Sequence, residues 1–156
     1  MATVRFINRE VKFYVMTDPG DPTATPAEAP TFTEIPHNSL SISTSAKEAD
    51  LTTTADAGWQ YTLPAERAMV VTLNTKCLYD KTTGDPDAGQ AALRTLSNAV
   101  GSDATGTFRI EVFGKIRKEF TGWVKVDELG ADQNEGAPFN AEIHPMGQIT
   151  ESVISA

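Results

Sequence analysis

Apolar residues in this chain recur mostly at every second position, the period of strands with one buried face. Val11, Phe13 and Val15 alternate with Lys12 and Tyr14, and a shorter strand is predicted just before them at Val4 to Ile7. Leu40 and Ile42 alternate with serines from Ser39 to Ser43, and Trp59, Tyr61 and Leu63 alternate up to Pro64, which is expected to stop the run. Between these two, Lys47 to Ala57 reads as loop or edge. A long strand is predicted over Met69 to Tyr79, with Val71, Leu73 and Cys77 sharing one face with Thr75. Phe108, Ile110, Val112 and Ile116 alternate with Arg109, Glu111 and Lys115, and a turn is expected at Lys118-Glu119. The segment Phe120 to Thr150 reads as two strands joined by a long loop. The loop holds Asp127, Glu128, Asp132 and Glu135 and no basic residue, and the second strand starts at Phe139.

Two segments break the alternation. Residues 17–37 contain Pro19, Pro22, Pro26, Pro30 and Pro36. Proline cannot donate to a ladder and biases the preceding residue toward extended backbone, so a long loop is predicted there. Phe32 and Ile35 near its end imply that part of it packs on something. The second segment, about 86–100, repeats at helical spacing through Gly89, Ala92, Leu93, Leu96, Ala99 and Val100. Asp85 is the expected N-cap, Pro86 the first helical residue, and Gly101 the stop. Several strands, one helix, then several strands predict a mainly β protein: a β-sandwich or open barrel of short antiparallel strands with one flanking helix.

The length of 156 residues suits one domain, 1–156, and is thin for two. The formal net charge is −8, with no cluster of Lys and Arg of the kind that displaces counterions from nucleic-acid phosphates. An acidic surface of this kind ordinarily serves solubility. No stretch approaches about 18 consecutive apolar residues, so no membrane span is expected, and the N-terminus lacks a continuous apolar signal region. Cys77 is the one cysteine, which rules out an intramolecular disulfide and fits a reduced, buried thiol.

The chain offers little chemistry. His37 and His144 lie far apart in sequence and neither has metal-ligand spacing. Nucleophile-elbow, zincin, Walker A and dinucleotide fingerprints are missing from the sequence. Asp80, Asp85 and Asp87 gather around Gly84 without the regular ligand spacing of a calcium loop. No catalytic residue, cofactor or metal is therefore expected, and the chain does not read as an enzyme. Trp59 and Trp123 sit in alternating segments, where packing on a sheet face or anchoring an interface are both open.

Four stretches, in order, carry a resemblance. They are VKFYV with the proline-rich loop; the serine- and threonine-rich LSISTSAKEADLTTTADAGWQYTLPAERAMVVTL; the helix DPDAGQAALRTLSNAV; and F-T-G-W-V-K-V, the acidic loop, then F-N-A-E-I and Met146-Gly147-Gln148-Ile149-Thr150. Together they resemble the major tail tube proteins of long-tailed phages, mainly the non-contractile type. The resemblance implies a tail-tube-like domain whose copies form rings of six that stack into a hollow conduit for DNA ejection. It implies a virion protein of the tail, assembled in the host cytoplasm. Its partners would be its own copies, the tape measure, tail terminator and distal tail proteins, and phage DNA that slides through without specific binding. Segment 1–9 and loop 17–37 would be assembly elements. Arg5, Arg9, Lys12, Phe32, Ile35, Trp123, Asp127 and Glu128 become candidate contacts between subunits, with basic residues of one copy facing acidic loops of another. An acidic lumen would draw on Glu48, Asp50, Asp56 and Glu66, within a span from Asp18 to Glu66 that holds eight acidic residues and one basic residue, Lys47. A tube subunit of a contractile tail or of a related injection or secretion device is the nearest alternative. A β-sandwich binding module displaying Trp59, Tyr61, Tyr79 and Trp123 is the second.

Overall fold

A computed structural model describes residues 10–53, 58–60, 62–130 and 136–155. Alternation dominates the sequence, and strands dominate the fold: β1 (Val11–Asp18), β2 (Thr31–Glu34), β3 (Ser39–Asp50), β4 (Thr62–Lys76), β5 (Thr105–Val112), β6 (Ile116–Glu128) and β7 (Pro138–Val153). They form one open sheet in the order β2-β1-β5-β6-β7-β4-β3, with every pairing antiparallel. Among the described residues one α-helix, α1 (Ala88–Asn98), lies against β6 and β1, followed by a 3-10 turn at Gly101–Ala104. The mainly β class with one flanking helix is as the sequence predicts; of the two expected forms, sandwich or open barrel, the described strands make one antiparallel sheet that does not close, with no second sheet among the described residues.

The core is the apolar face of that sheet. Phe13, Phe108 and Phe120 stand side by side on β1, β5 and β6, with ring centroids 5.7 and 5.6 Å apart along the row. Val71, Leu73, Phe139, Ala141 and Ile143 continue it across β4 and β7. Leu93 of α1 and Ile35 close it over, both fully buried. Each fully buried side chain of this size contributes roughly 1.5–3 kcal/mol of transfer free energy. Gly106 permits the helix to lie this close, because a Cβ there would stand 2.7 Å from Leu96 Cδ1.

Several boundaries differ from expectation, for physical reasons. The helix is capped by Asp87, not Asp85: its carboxylate accepts from the Gln90 amide at 3.1 Å. Pro86 instead bridges to Tyr79. The β5–β6 turn lies at Phe113-Gly114, not Lys118-Glu119. Both turn residues have positive φ, 57° at Phe113 and 62° at Gly114. That is the left-handed geometry of a primed hairpin turn. Lys118 and Glu119 are therefore inside β6, paired with Ile110 and Arg109. Within the proline-rich loop, residues 31–34 form β2 against β1.

Four strands also outrun the short lengths expected: β3 has 12 residues, β4 15, β6 13 and β7 16. Pro64 does not stop its strand, because it sits opposite Glu48 just past a register shift, where β4 pairs on one side only. β7 pairs with β4 only from Pro138 to Ile143. Beyond that lie Pro145 and Gly147, the latter with φ 79°. Three β7 residues, 147–149, stand opposite Phe120 alone. The bulge bends β7, and the sheet forks. One prong is the ribbon formed by the outer halves of β3 and β4; the other is β7 on β6.

The end of β4 leaves the ladder and needs another partner. Fully buried Gln90 supplies it: its amide nitrogen donates to the Lys76 carbonyl at 2.8 Å and its oxygen accepts from the Leu78 amide at 3.0 Å. Gln90→Leu, nearly isosteric, strands both groups. It is expected to lower unfolding stability by about 1–3 kcal/mol in urea titration, with the far-UV spectrum unchanged.

Candidate assembly surfaces

Side-chain parity along β6 decides which of the candidate contacts face outward. Val124 and Val126 turn toward the helix, whereas Trp123, Lys125 and Asp127 form a row on the opposite face. Trp123 is 42% exposed and stacks flat on His144 of β7, with centroids 4.0 Å apart at 9°. The His144 ring also lies 3.6 Å from the Glu142 carboxylate. Asp127 is exposed and 3.6 Å from Lys125. Glu128 has the inward parity. It reaches Arg94 of α1 at 2.7 Å, and that guanidinium also lies over the Phe139 ring and beside Cys77. The hydrogen bond to Glu128 raises the Arg94 pKa against the opposing pull of burial. Glu128 therefore ties the helix to the sheet within one chain.

The candidates nearer the N-terminus divide in the same way. Lys12 faces Glu34 of β2 at 4.0 Å, an exposed pair that contributes little. Phe32 lies under the Arg109 guanidinium at 3.7 Å, within reach of a cation–π contact. Arg109 is held in turn by Glu119 at 2.8 Å. Ile35 is fully buried, so its side chain packs in the core, in keeping with a loop end that packs on something, and is not available as a contact between subunits. Arg5, Arg9 and the rest of segment 1–9 lie outside the described residues, as do Asp56, Tyr61, Asp132 and Glu135.

The lumen candidates that the structure describes share one element. Glu48, Asp50 and Glu66 all stand on the ribbon, exposed. Thr52 donates to the Asp50 carboxylate from its hydroxyl and from its amide at 2.9 Å, holding that group below the usual carboxylate range. Glu66 pairs with Lys47 at 3.0 Å. With Arg67 exposed beside them, the ribbon carries both signs.

Sequence reasoning missed the ribbon and the fork. From Ser41 to Glu48 of β3 every residue is exposed, and so is every residue of β4 from Leu63 to Ala68. Both faces of a two-stranded hairpin are thus in water, a marginal arrangement for an isolated ribbon. Between the prongs lies a cleft of about 640 Å³, bordered by Thr44, Ser45, Arg67, Met69, Gln148 and Ile149. The signal was the alternation of Leu40 and Ile42 with serine, which fades beyond Ser43 because polar residues from there to Glu48 face both ways. Asp80 proves to organise its own loop by accepting from the Thr82 and Thr83 amides, which holds its carboxyl below the usual range. Among the described residues, no three His, Cys, Asp or Glu side chains gather as a metal site. None of the described helices is long and apolar enough to cross a membrane.

No protein-family model and no curated protein sequence matches the chain. Solved structures do match. A chain from the tail of an empty gene transfer agent (GTA) particle of C6 symmetry superposes with a TM-score of 0.66 at 13% identity, covering 97% of this chain and 100% of that one. A chain from the virion of a native gene transfer agent particle gives 0.65 at 14% identity, over 95% and 99%. A chain of the sheath–tube complex of an extracellular contractile injection system, in its extended state, gives 0.61 at 11% identity, over 98% and 95%. The fold is tail-tube-like. At such identity the likeness lies in the backbone, and it extends over nearly the whole of each chain.

Parity on β6 gives a direct test in this tail-tube-like fold. Glu128→Gln is expected to cost about 1 kcal/mol of monomer stability, as a partly screened ion pair would. Asp127→Asn is expected to stay within about 0.5 kcal/mol. Chemical denaturation of the two variants side by side checks both.

Proposed function

We infer that this chain is a structural virion protein, the major tube subunit of a phage-like tail. Six copies form a ring, rings stack, and the hollow tube conducts DNA during ejection. The observation that carries this reading is the ribbon, a two-stranded element wet on both faces, in a chain whose fold matches tail components from end to end. Such an element is stabilised when a neighbouring copy covers it, and a head-to-tail contact repeated along an axis builds a filament. The chain acts as one assembly unit, 1–156, made in the host cytoplasm and resident in the tail. Tape measure, terminator and distal tail proteins meet the tube at its centre and ends.

The reading assigns the subunit no reaction. Its lumen presents Glu48, Asp50, Asp56 and Glu66, whose charge keeps DNA from sticking. Outward-facing Trp123 and Asp127, with Lys12 and Phe32 at the β1–β2 edge and Arg5 and Arg9 before it, supply contacts between copies. A contractile tail or injection device is the second reading, favoured by the match to the contractile sheath–tube complex. A binding module would use Trp59, 81% exposed.

Negative-stain microscopy of concentrated protein is expected to show hollow tubes or rings of uniform diameter; a monomer under every condition would move the weight to a binding module. Converting Glu48, Asp50 and Glu66 to Lys is expected to leave assembly possible and to make tubes retain DNA. Retention should fall steeply between about 50 and 200 mM salt. Equal DNA retention by wild-type and variant tubes, measured by co-sedimentation, counts against an acidic lumen.

A further inference from the structure

The fork leaves two ladder edges facing each other. β4 pairs with β7 as far as Val71–Ile143 and no further, although β4 goes on to Thr62 and β7 to Val153. β3 occupies the far side of β4, and β6 the far side of β7. The inner edges of both prongs therefore carry backbone donors and acceptors with no ladder partner among the described residues. Their chemistry selects an extended polypeptide, which supplies main-chain hydrogen bonds to an edge and alternate side chains to a cleft. Met69, Pro145 and Ile149 make part of the cleft apolar, and Thr44, Ser45 and Gln148 make the rest polar.

One segment of this chain has the matching pattern. Residues 1–9 contain no proline or glycine, and Val4 and Phe6 alternate with Thr3 and Arg5. The segment joins the sheet at Glu10, whose carbonyl accepts from the Phe113 amide at the β5–β6 turn. Reach decides which copy it can serve. From β1 to β7 is three strand spacings, about 14 Å, and the fork lies beyond β7. With Val4 to Ile7 in the cleft, the three steps from Ile7 to Glu10 span at most about 11 Å. The segment is too short to fill its own fork.

We propose that the fork between β4 and β7 is the acceptor for residues Val4 to Ile7 of a second copy, which add as a strand with Val4 and Phe6 against Met69 and Ile149. This rests on the reading that the chain polymerises. It makes each copy both donor and acceptor, so the contact propagates without closing on a pair.

The test mixes single-cysteine full-length proteins in a Cys77→Ser background. Thr3→Cys, Arg5→Cys and Ile7→Cys, covering alternate registers, are each combined under mild oxidation with separately purified Gln148→Cys. The expected result is a shift to disulfide-linked dimer in at least one mixture, with no such dimer from either partner alone. A protein carrying both cysteines should then give ladders of linked chains. A disulfide within one chain, at monomer mass, overturns the proposal. So does failure to cross-link in all three mixtures while the same proteins form tubes, an outcome that leaves the tube reading standing. If the wild-type protein forms no assembly at all, the tube reading fails and the proposal with it. Phe6→Pro, which removes one backbone donor from the proposed strand, is expected to abolish tubes without moving the thermal midpoint of the monomer.

Discussion

An open sheet must dispose of the backbone groups along every edge it does not pair, and this constraint organises the molecule. Where an edge lies inside the body, a side chain or a turn completes it. Ser97 Oγ at the end of α1 accepts from the Val126 amide, at a point where β6 has outrun β5. Gln90 takes the place of a strand beside residues 76–78. The Ile154 amide turns back to the Lys115 carbonyl at 2.7 Å. The helix thus serves the sheet twice, as the lid of the core and as a source of polar groups for its interrupted ladders. On the ribbon and in the fork no such completion is built in among the described residues. The difference separates the parts of the chain that fold for themselves from the parts shaped for something else.

Most of the core was legible in the sequence, because alternation of Phe13, Phe108, Phe120 and their neighbours has a single physical reading. What was not legible depended on backbone geometry or on distant residues. The Phe113-Gly114 turn was hidden because a phenylalanine occupies a left-handed position that Asn or Asp commonly marks. Ile35 was legible as a residue that packs on something, but nothing local shows that α1 is what covers it. Asp127 and Glu128 looked equivalent as members of one acidic loop. Once β6 is known to run through both, their opposite parity makes one a surface group and the other an anchor for Arg94. The β3–β4 ribbon was invisible to a search for apolar faces because it has no consistently buried face.

Charge follows the same division. On one face of β5 and β6, cations and carboxylates meet across strands, Arg109 with Glu119 and Arg117 with Glu111, and on the other face Lys118 of β6 meets Glu151 of β7. Such pairs fix register more than they stabilise. They also consume most of the basic residues there, so the net charge of −8 is expressed largely through loops and turns, where Asp21 and Asp80 are fastened by neighbouring amides. The Thr23 hydroxyl and amide hold the Asp21 carboxyl, and the Thr82 and Thr83 amides the Asp80 carboxyl, below the usual carboxylate range.

The open edges also bear on how such a chain stays dispersed. A long strand edge ordinarily invites indiscriminate pairing. Here the bulge at Gly147, Pro145 and Pro64 bend or interrupt both inner edges of the fork, and the shift at Lys47/Glu48 does the same to β3. Flat sheet-to-sheet addition is disfavoured by that geometry, whereas a single narrow strand entering the cleft is not. The same prolines and glycine that cut β4 away from β7 therefore perform two tasks, opening the cleft and restricting what can pair along its edges. A site that admits any edge leads to aggregates, whereas one that admits a single narrow segment would give a defined contact, as the proposed strand addition requires.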